Sequence, residues 1–269
     1  MLKKYRGILY RKWTVKKPKA VFVLVHGMGA HSGRYEYFAP FFKKKGFSGY
    51  AMDLQGYGEL GKELKGHVES LKIYHEQIKQ LKELAAKENP GKPLFLLGES
   101  MGGLLVTSHA INYDQEYKGV IAIVPAFNDV FNFTLADRLN ILFKSIRDPK
   151  EPVLMPFNDA DLTTDRAILS KLKKDRLEHK YASAGLLRQL LIEQVINIDA
   201  KIQRLKVPIF MLLSGKDRLV DTGFDANLFK RIKADKTLKI YNGSLHALTI
   251  EKNRKEIYKD IMEWAIKRV

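Results

Sequence analysis

Leu94-Phe95-Leu96-Leu97-Gly98-Glu99-Ser100-Met101-Gly102-Gly103, followed by the helical stretch from Leu104 to Ala110, decides how this 269-residue chain is read. A short apolar run closed by glycine has the length and composition of a strand buried on both faces. Between strand and helix stands Gly-Glu-Ser-Met-Gly, a G-x-S-x-G string in the strand–turn–helix setting that gives the string its meaning. Glycines flank the serine because so sharp a turn leaves no room for side chains on either side. The serine is then held in a strained conformation that lifts its hydroxyl above the sheet. Ser100 is the candidate nucleophile; the alternative is a tight turn carrying an inert serine.

Similar runs recur on either side. Ala20 to Val25 ends abruptly at His26-Gly27, Val120 to Val124 at Pro125, and Ile209 to Leu213 at Ser214-Gly215, while Tyr5 to Trp13 alternates enough for an edge strand. Between them the period becomes helical. Leu71, Tyr74, Ile78, Leu81 and Leu84 recur at three and four, as do Ile257, Ile261 and Trp264 near the C-terminus. Strands alternating with helices predict an α/β fold with a mostly parallel, doubly wound sheet and ligands at the carboxyl ends of its strands. One stretch breaks the alternation. Residues 126–206 show no convincing strand but two apolar stripes, one of Leu135, Leu139, Leu142, Phe143 and Ile146, the other of Leu187, Leu190, Leu191 and Val195. The expected partition is a core of residues 1–125 and 207–269 with a helical cap, 126–206, inserted between core strands. Both stripes are expected to line an acyl tunnel over Ser100; a plain helical elaboration is the alternative.

A serine hydroxyl needs a base, itself oriented by an acid. Of the histidines beyond Ser100, His109 lies within the helix that starts at the turn and is expected to point away. His179 sits in the charged run KKDRLEHK and is expected in solvent. His246 follows a short strand and precedes the last helix, at the carboxyl edge where the base must be. Asp217 follows the Ile209–Leu213 strand at that same edge and is the candidate acid, with Asp221 in the same loop and Asp129 as competitors. The oxyanion hole needs two backbone N–H groups. Met101, directly after the nucleophile, supplies one, and the loop His26-Gly27-Met28-Gly29 the other, from Met28. His26 and His31 resemble a metal pair but lack a carboxylate at matching spacing, and are read as loop-ordering residues.

Cysteine is absent, which excludes disulfides, cysteine-ligated zinc and a thiol nucleophile. The 47 Lys+Arg against 30 Asp+Glu give a net charge of +17. These lysines are spread in ones to threes between apolar positions, without a basic tail or nucleic-acid motif, so they are read as a solvated surface and no nucleic-acid partner is expected. The surplus also suits transient contact with an anionic membrane or micelle surface. The N-terminal MLKKYRGILYRKWTV lacks the apolar stretch of a secretory signal and no run reaches transmembrane length, so a cytoplasmic protein is expected.

With these pieces in place the chain resembles the monoacylglycerol lipase and lysophospholipase branch of the α/β-hydrolases, which shades into serine aminopeptidases. The matching text is HGMGAHSGRY at 26–35, GESMGG at 98–103, GKDRLVD at 215–221 and KTLKIYNGSLHALTIEKNR at 236–254, joined by Asp161-Leu162-Thr163-Thr164-Asp165 and Tyr181-Ala182-Ser183-Ala184-Gly185. The resemblance implies Ser100, Asp217 and His246 as a catalytic triad, Met28 and Met101 as oxyanion donors, and no metal or organic cofactor. There are departures: Tyr57 stands where histidine is usual, Glu99 where histidine is common and Ala30 where glutamate is common, all bordering the pocket. The implied activity is a serine carboxylic-ester hydrolase acting on lipid-like monoesters. A peptidase or amidase of the same fold is the alternative, and a non-catalytic binding protein of this fold would be expected to lack a triad member.

Overall fold

The structure, a computed structural model, describes residues 1–63, 65–113, 116–128 and 134–269, the side chains of residues 192, 193 and 195 excepted. The order of elements begins β1 (Lys3–Tyr5), β2 (Ile8–Trp13), β3 (Ala20–Val25), α1 (Ala39–Lys44), β4 (Phe47–Asp53), α2 (Leu71–Glu88), β5 (Leu94–Glu99), α3 (Met101–Asn112) and β6 (Gly119–Ile123). Then come α4 (Leu135–Arg147), β7 (Pro152–Leu154), α5 (Arg166–Leu172), β8 (Tyr181–Ser183), α6 (Ala184–Arg188) and α7 (Val195–Lys201). The chain closes with β9 (Ile209–Ser214), α8 (Thr222–Arg231), β10 (Lys236–Tyr241) and α9 (Arg254–Ile266).

Eight strands form one sheet in the order β1-β2-β4-β3-β5-β6-β9-β10. From β4 to β10 every pairing is parallel, and the pairings β1–β2 and β2–β4 are antiparallel. This is the α/β-hydrolase fold. Side chains of β3 alternate between two cores. Val21, Val23 and Val25 pack with Tyr74, Ile78 and Leu81 of α2 and Leu104 and Leu105 of α3. Phe22 and Leu24 pack with Phe42 of α1 and with Ile257, Ile261 and Trp264 of α9. Burial on both faces explains why these strands read as unbroken apolar runs. The chain leaves β3 to one side for β4 and returns on the other side for β5, so the strand order reverses at β3. The crevice at that reversal, over the carboxyl ends of β3 and β5, is where such sheets bind ligands.

Three details differ from expectation. The edge strand is a hairpin, turned at Arg6-Gly7 with both residues in the left-handed region (φ 44° and 89°). β4 was not anticipated: Ser48 and Gly49 interrupt its apolar run, yet all seven residues are buried because β2 and β3 supply partners on both sides. The segment between β6 and β9 contains strand after all, since β7 and β8 pair antiparallel as Pro152↔Ser183 to Leu154↔Tyr181.

The larger correction concerns α4. It was expected to turn its leucines toward the nucleophile. Instead Leu135, Leu139, Phe143 and Ile146 are 55–75% exposed, and the buried residues of the helix are Ile141 and Ser145. Apolar periodicity shows that a stripe exists but not which surface covers it. Among the described residues no helix is long and apolar enough to cross a membrane.

The contrast between core and stripe is measurable. Leu97→Ala, in the fully buried β5, should cost about 2–5 kcal/mol. Leu139→Ala on α4 should stay within about 0.5 kcal/mol. Urea unfolding of both variants checks this; comparable losses would mean that α4 buries its stripe.

Candidate active site

β5 runs through Gly98 and Glu99 into Ser100, and α3 begins at the next residue. Ser100 lies at φ 58°, ψ −121°, where few non-glycine residues are found. Its neighbours fix it there. The Ser100 N–H donates to Ile123 O at 2.9 Å, and its carbonyl accepts from Leu104 N and Ala126 N, both at 3.1 Å. The flanking glycines are steric necessities. A Cβ on Gly98 would lie 2.1 Å from Gly102 O, and one on Gly102 would lie 2.0 Å from Val25 O.

The loop after β3 also passes close. A Cβ on Gly27 would sit 3.1 Å from Ser100 Cβ and 3.7 Å from its Oγ. Met28 therefore follows directly on the residue that abuts the nucleophile. Met101 is the first residue of α3, where N–H groups have no partner within the helix and the helix dipole is positive. His26, buried below this loop, accepts from Leu54 N at 3.0 Å and donates through Nδ1 to Gly27 O at 2.8 Å. Burial pulls it down to about 4, so it stays neutral.

On the other flank, His246 Nδ1 donates to Asp217 at 2.9 Å (Oδ2) and 3.0 Å (Oδ1). Both side chains are almost wholly buried. Asp217 Oδ1 also accepts from Leu219 N at 2.9 Å and Val220 N at 3.1 Å. Burial works to raise the Asp217 carboxyl, but the His246 imidazole and these N–H donors outweigh it and hold the group below its ordinary value. An ionised acid on Nδ1 fixes the tautomer and leaves Nε2 to take a proton. Asp221 is occupied elsewhere: it caps α8, accepting from Phe224 N at 2.9 Å. The third competitor, Asp129, lies outside the described residues. Behind the acid, Asp225 is buried with no hydrogen-bond partner among the described residues. Burial and the charges of Asp217 and Asp221 push its carboxyl well above the usual range.

Ser100, His246, Met28 and Met101 all line one cavity, with Asp217 behind His246. Much of the remaining wall is apolar, from Leu104, Met155, Phe157, Leu162, Leu190 and Leu191. Thus the second expected stripe does contribute, through Leu190 and Leu191, whereas the side chain of Val195 lies outside the described residues. The stripe of α4 is replaced by residues around β7 that no periodicity marked. Arg34, Ala30 and Glu99 also line the cavity.

The other histidines have structural settings. His109 stacks on His75 with ring centroids 5.6 Å apart, between α2 and α3. His179 is not in solvent as expected: it is half-buried and stacks on Tyr57 at 5.1 Å. His31 accepts from Gly33 N and bonds Asp175 at 2.9 Å. With Asp175 and Glu178 it makes a three-ligand grouping, but both Glu178 oxygens are already held by the Arg34 guanidinium, which works against a metal there.

Sequence reasoning gave no role to Glu251. Its buried carboxylate accepts from Leu245 N at 3.1 Å, Thr164 N at 3.0 Å, Thr163 Oγ1 at 3.3 Å and Thr164 Oγ1. Ala247 N donates to Leu162 O at 2.7 Å, and Arg254 to Asp165 at 2.7 Å. So Asp161 to Asp165 clamps the loop that carries His246. Glu251 leaves no local signal because the partners that give it this role, Thr163 and Thr164, lie nearly ninety residues away in the chain.

Sheet topology and this cavity place the protein among the α/β-hydrolases, with the residues of a serine hydrolase converging at the switch point. The chain belongs to the serine aminopeptidase S33 family, whose sequence pattern matches residues 16–253. A monoacylglycerol lipase of Mycolicibacterium smegmatis is 29% identical over 263 residues, spanning 96% of this chain and 92% of that one. Phospholipase YtpA of Bacillus subtilis is 24% identical over 253 residues, covering 92% and 95% of the two chains. The crystal structure of Paleococcus ferrophilus monoacylglycerol lipase superposes with a TM-score of 0.87 at 25% identity, over 98% of this chain and 100% of that one.

Two aspartates four residues apart can be separated by assay. Asp217→Asn should lower kcat on an activated ester by about four orders of magnitude, as loss of the orienting carboxylate does in serine triads. Asp221→Asn should leave it within about threefold, because asparagine caps a helix as well as aspartate. The reverse ranking would move the acid to Asp221.

Proposed function

We propose that the protein is a serine ester hydrolase that cleaves lipid-like monoesters, of the monoacylglycerol or lysophospholipid type, through an acyl-enzyme on Ser100. The observation that carries this reading is the shared cavity, in which Ser100 and His246 face a largely aliphatic wall. Similarity to monoacylglycerol lipases and to a phospholipase supports the substrate class.

Ser100 Oγ attacks the ester carbonyl as His246 Nε2 takes its proton. Asp217 stays ionised and stabilises the imidazolium, and the Met28 and Met101 amides receive the charge on the carbonyl oxygen. Collapse expels the alcohol, which takes the proton back from His246. Water then repeats the sequence on the acyl-enzyme and releases the acid. Residues 126–206 act as a cap: Met155, Phe157, Leu162, Leu190 and Leu191 give the acyl chain its wall and keep bulk water from the acyl-enzyme.

The exposed stripe of α4 suits a lipid surface. Leu135, Leu139, Phe143 and Ile146 share one helix face, and Arg138, Lys144 and Arg147 outnumber Asp137 on the same helix. In a protein of charge +17 this is the make-up of an interfacial helix drawn to anionic lipid. Docking there brings the cap, and the cavity beneath it, against the substrate reservoir.

Ser100→Ala should abolish both fluorophosphonate labelling and ester turnover while the protein stays folded. With p-nitrophenyl esters, kcat/KM should rise by up to about fourfold per methylene, from ~0.8 kcal/mol per buried CH₂, until the wall is filled. Labelling that persists in Ser100→Ala would end the serine-hydrolase reading, and a flat chain-length profile would end the acyl-wall reading.

Vesicle co-sedimentation tests the surface. Leu139→Ser with Phe143→Ser should weaken binding to phosphatidylglycerol vesicles by about tenfold or more, from ~1.5–3 kcal/mol per buried apolar side chain. Turnover of a short soluble ester should not change. Equal vesicle binding by variant and parent would remove α4 from the contact.

A further inference from the structure

The cavity wall includes a carboxyl group that the hydrolytic steps do not use. Glu99 is the last residue of β5 and precedes the nucleophile; it is 7% exposed and lines the cavity. Its Oε1 accepts from Thr249 N at 2.8 Å and its Oε2 from Thr249 Oγ1 at 2.7 Å, so the carboxylate is pinned at both oxygens. Neither donor is a cation, and among the described residues no lysine or arginine makes an ion pair with it. Arg34 also lines the cavity; its Nε and Nη2 both go to Glu178, the latter at 2.6 Å, and at longer range its charge and that of His246, with the Thr249 donors, favour the Glu99 carboxylate against the burial that pushes the group up. Ala30, on the same wall, contributes no charge. On the ester-hydrolase reading the acyl chain takes the aliphatic wall of Met155, Phe157, Leu190 and Leu191, which leaves the alcohol to the polar lining, Glu99 included.

We infer that Glu99 sets the charge of the alcohol that this site accepts: its fixed carboxylate excludes esters whose alcohol part is anionic and admits neutral polyol or cationic ones. The inference rests on the ester-hydrolase reading above and narrows its two substrate types to the uncharged one. A buried, preoriented charge acts on a like charge through a medium far less screening than water, and such repulsion is a common source of specificity. The surface and the cavity then have opposite tasks. The basic exterior is drawn to anionic lipid, while the acidic pocket refuses anionic headgroups and takes the neutral ester dissolved among them.

The test uses three esters of one medium-chain acid that differ only in the alcohol: glycerol, glycerol 3-phosphate and choline. For the full-length protein, kcat/KM on the glycerol and choline esters should exceed that on the phosphate ester by about tenfold or more. Glu99→Gln and Glu99→His should each shrink that handicap about tenfold and lower the choline-to-glycerol ratio. Ratios within one preparation cancel any general loss of activity or folded fraction. If Glu99 only braced Thr249, all three esters would fall together and the ratios would stay fixed, which overturns the inference. Equal wild-type rates on the glycerol and phosphate esters overturn it without any variant. Turnover of the glycerol ester with invariant ratios removes this inference alone, whereas no turnover of any ester, despite fluorophosphonate labelling of Ser100, removes the lipid-ester reading and this one with it.

Discussion

Three backbone segments meet within a few ångströms at the end of β5, and the rest of the site depends on that contact. Gly98 and Gly102 let the strand, the helix and the end of β3 approach to distances that no side chain would permit, and Gly27 brings the β3 loop into tight contact with Ser100. Ser100 is forced into the left-handed region at a cost of about 1–3 kcal/mol. The surroundings meet that cost through the hydrogen bond from Ser100 N to Ile123 O and those from Leu104 N and Ala126 N to Ser100 O. Strain of this kind is stored where it is useful: the hydroxyl stands clear of the sheet, and the amides of Met28 and Met101 follow on the two chains that press against it. Relaxing the turn would displace the candidate nucleophile and the proposed oxyanion donors together.

The segment between β6 and β9 does more than cover this edge. One part of it, Asp161 to Asp165, is bound into the core through Glu251, Ala247 and Arg254 and holds the loop on which His246 sits. Another part, around β7 and at Leu190 and Leu191, forms much of the apolar wall. A third, α4, turns its hydrophobic face outward. Motion in the outer part could therefore leave the histidine undisturbed, because the clamp lies on a different stretch of chain.

Charge is partitioned in the same way. The exterior carries the surplus of lysine and arginine, whereas the cavity wall holds a carboxylate pinned by Thr249 and a guanidinium bonded to Glu178.

The sequence by itself determined the fold class and the candidate residues Ser100, Asp217 and His246, because both are written in short-range patterns. A strand buried on both faces must be an apolar run, and a strand-to-helix turn this tight must be flanked by glycine. An acid and a base at one sheet edge must follow strand ends. β4 escapes local reading because Ser48 and Gly49 are buried by strand partners about thirty residues away, on β2 and β3. Glu251 escapes local reading because Thr163 and Thr164, which bind its carboxylate, come from the segment between β6 and β9, and the stripe of α4 because periodicity does not say what lies opposite it. Only the tertiary structure could decide these, since each depends on which distant surface reaches the residue and not on the residue's own neighbours in the chain.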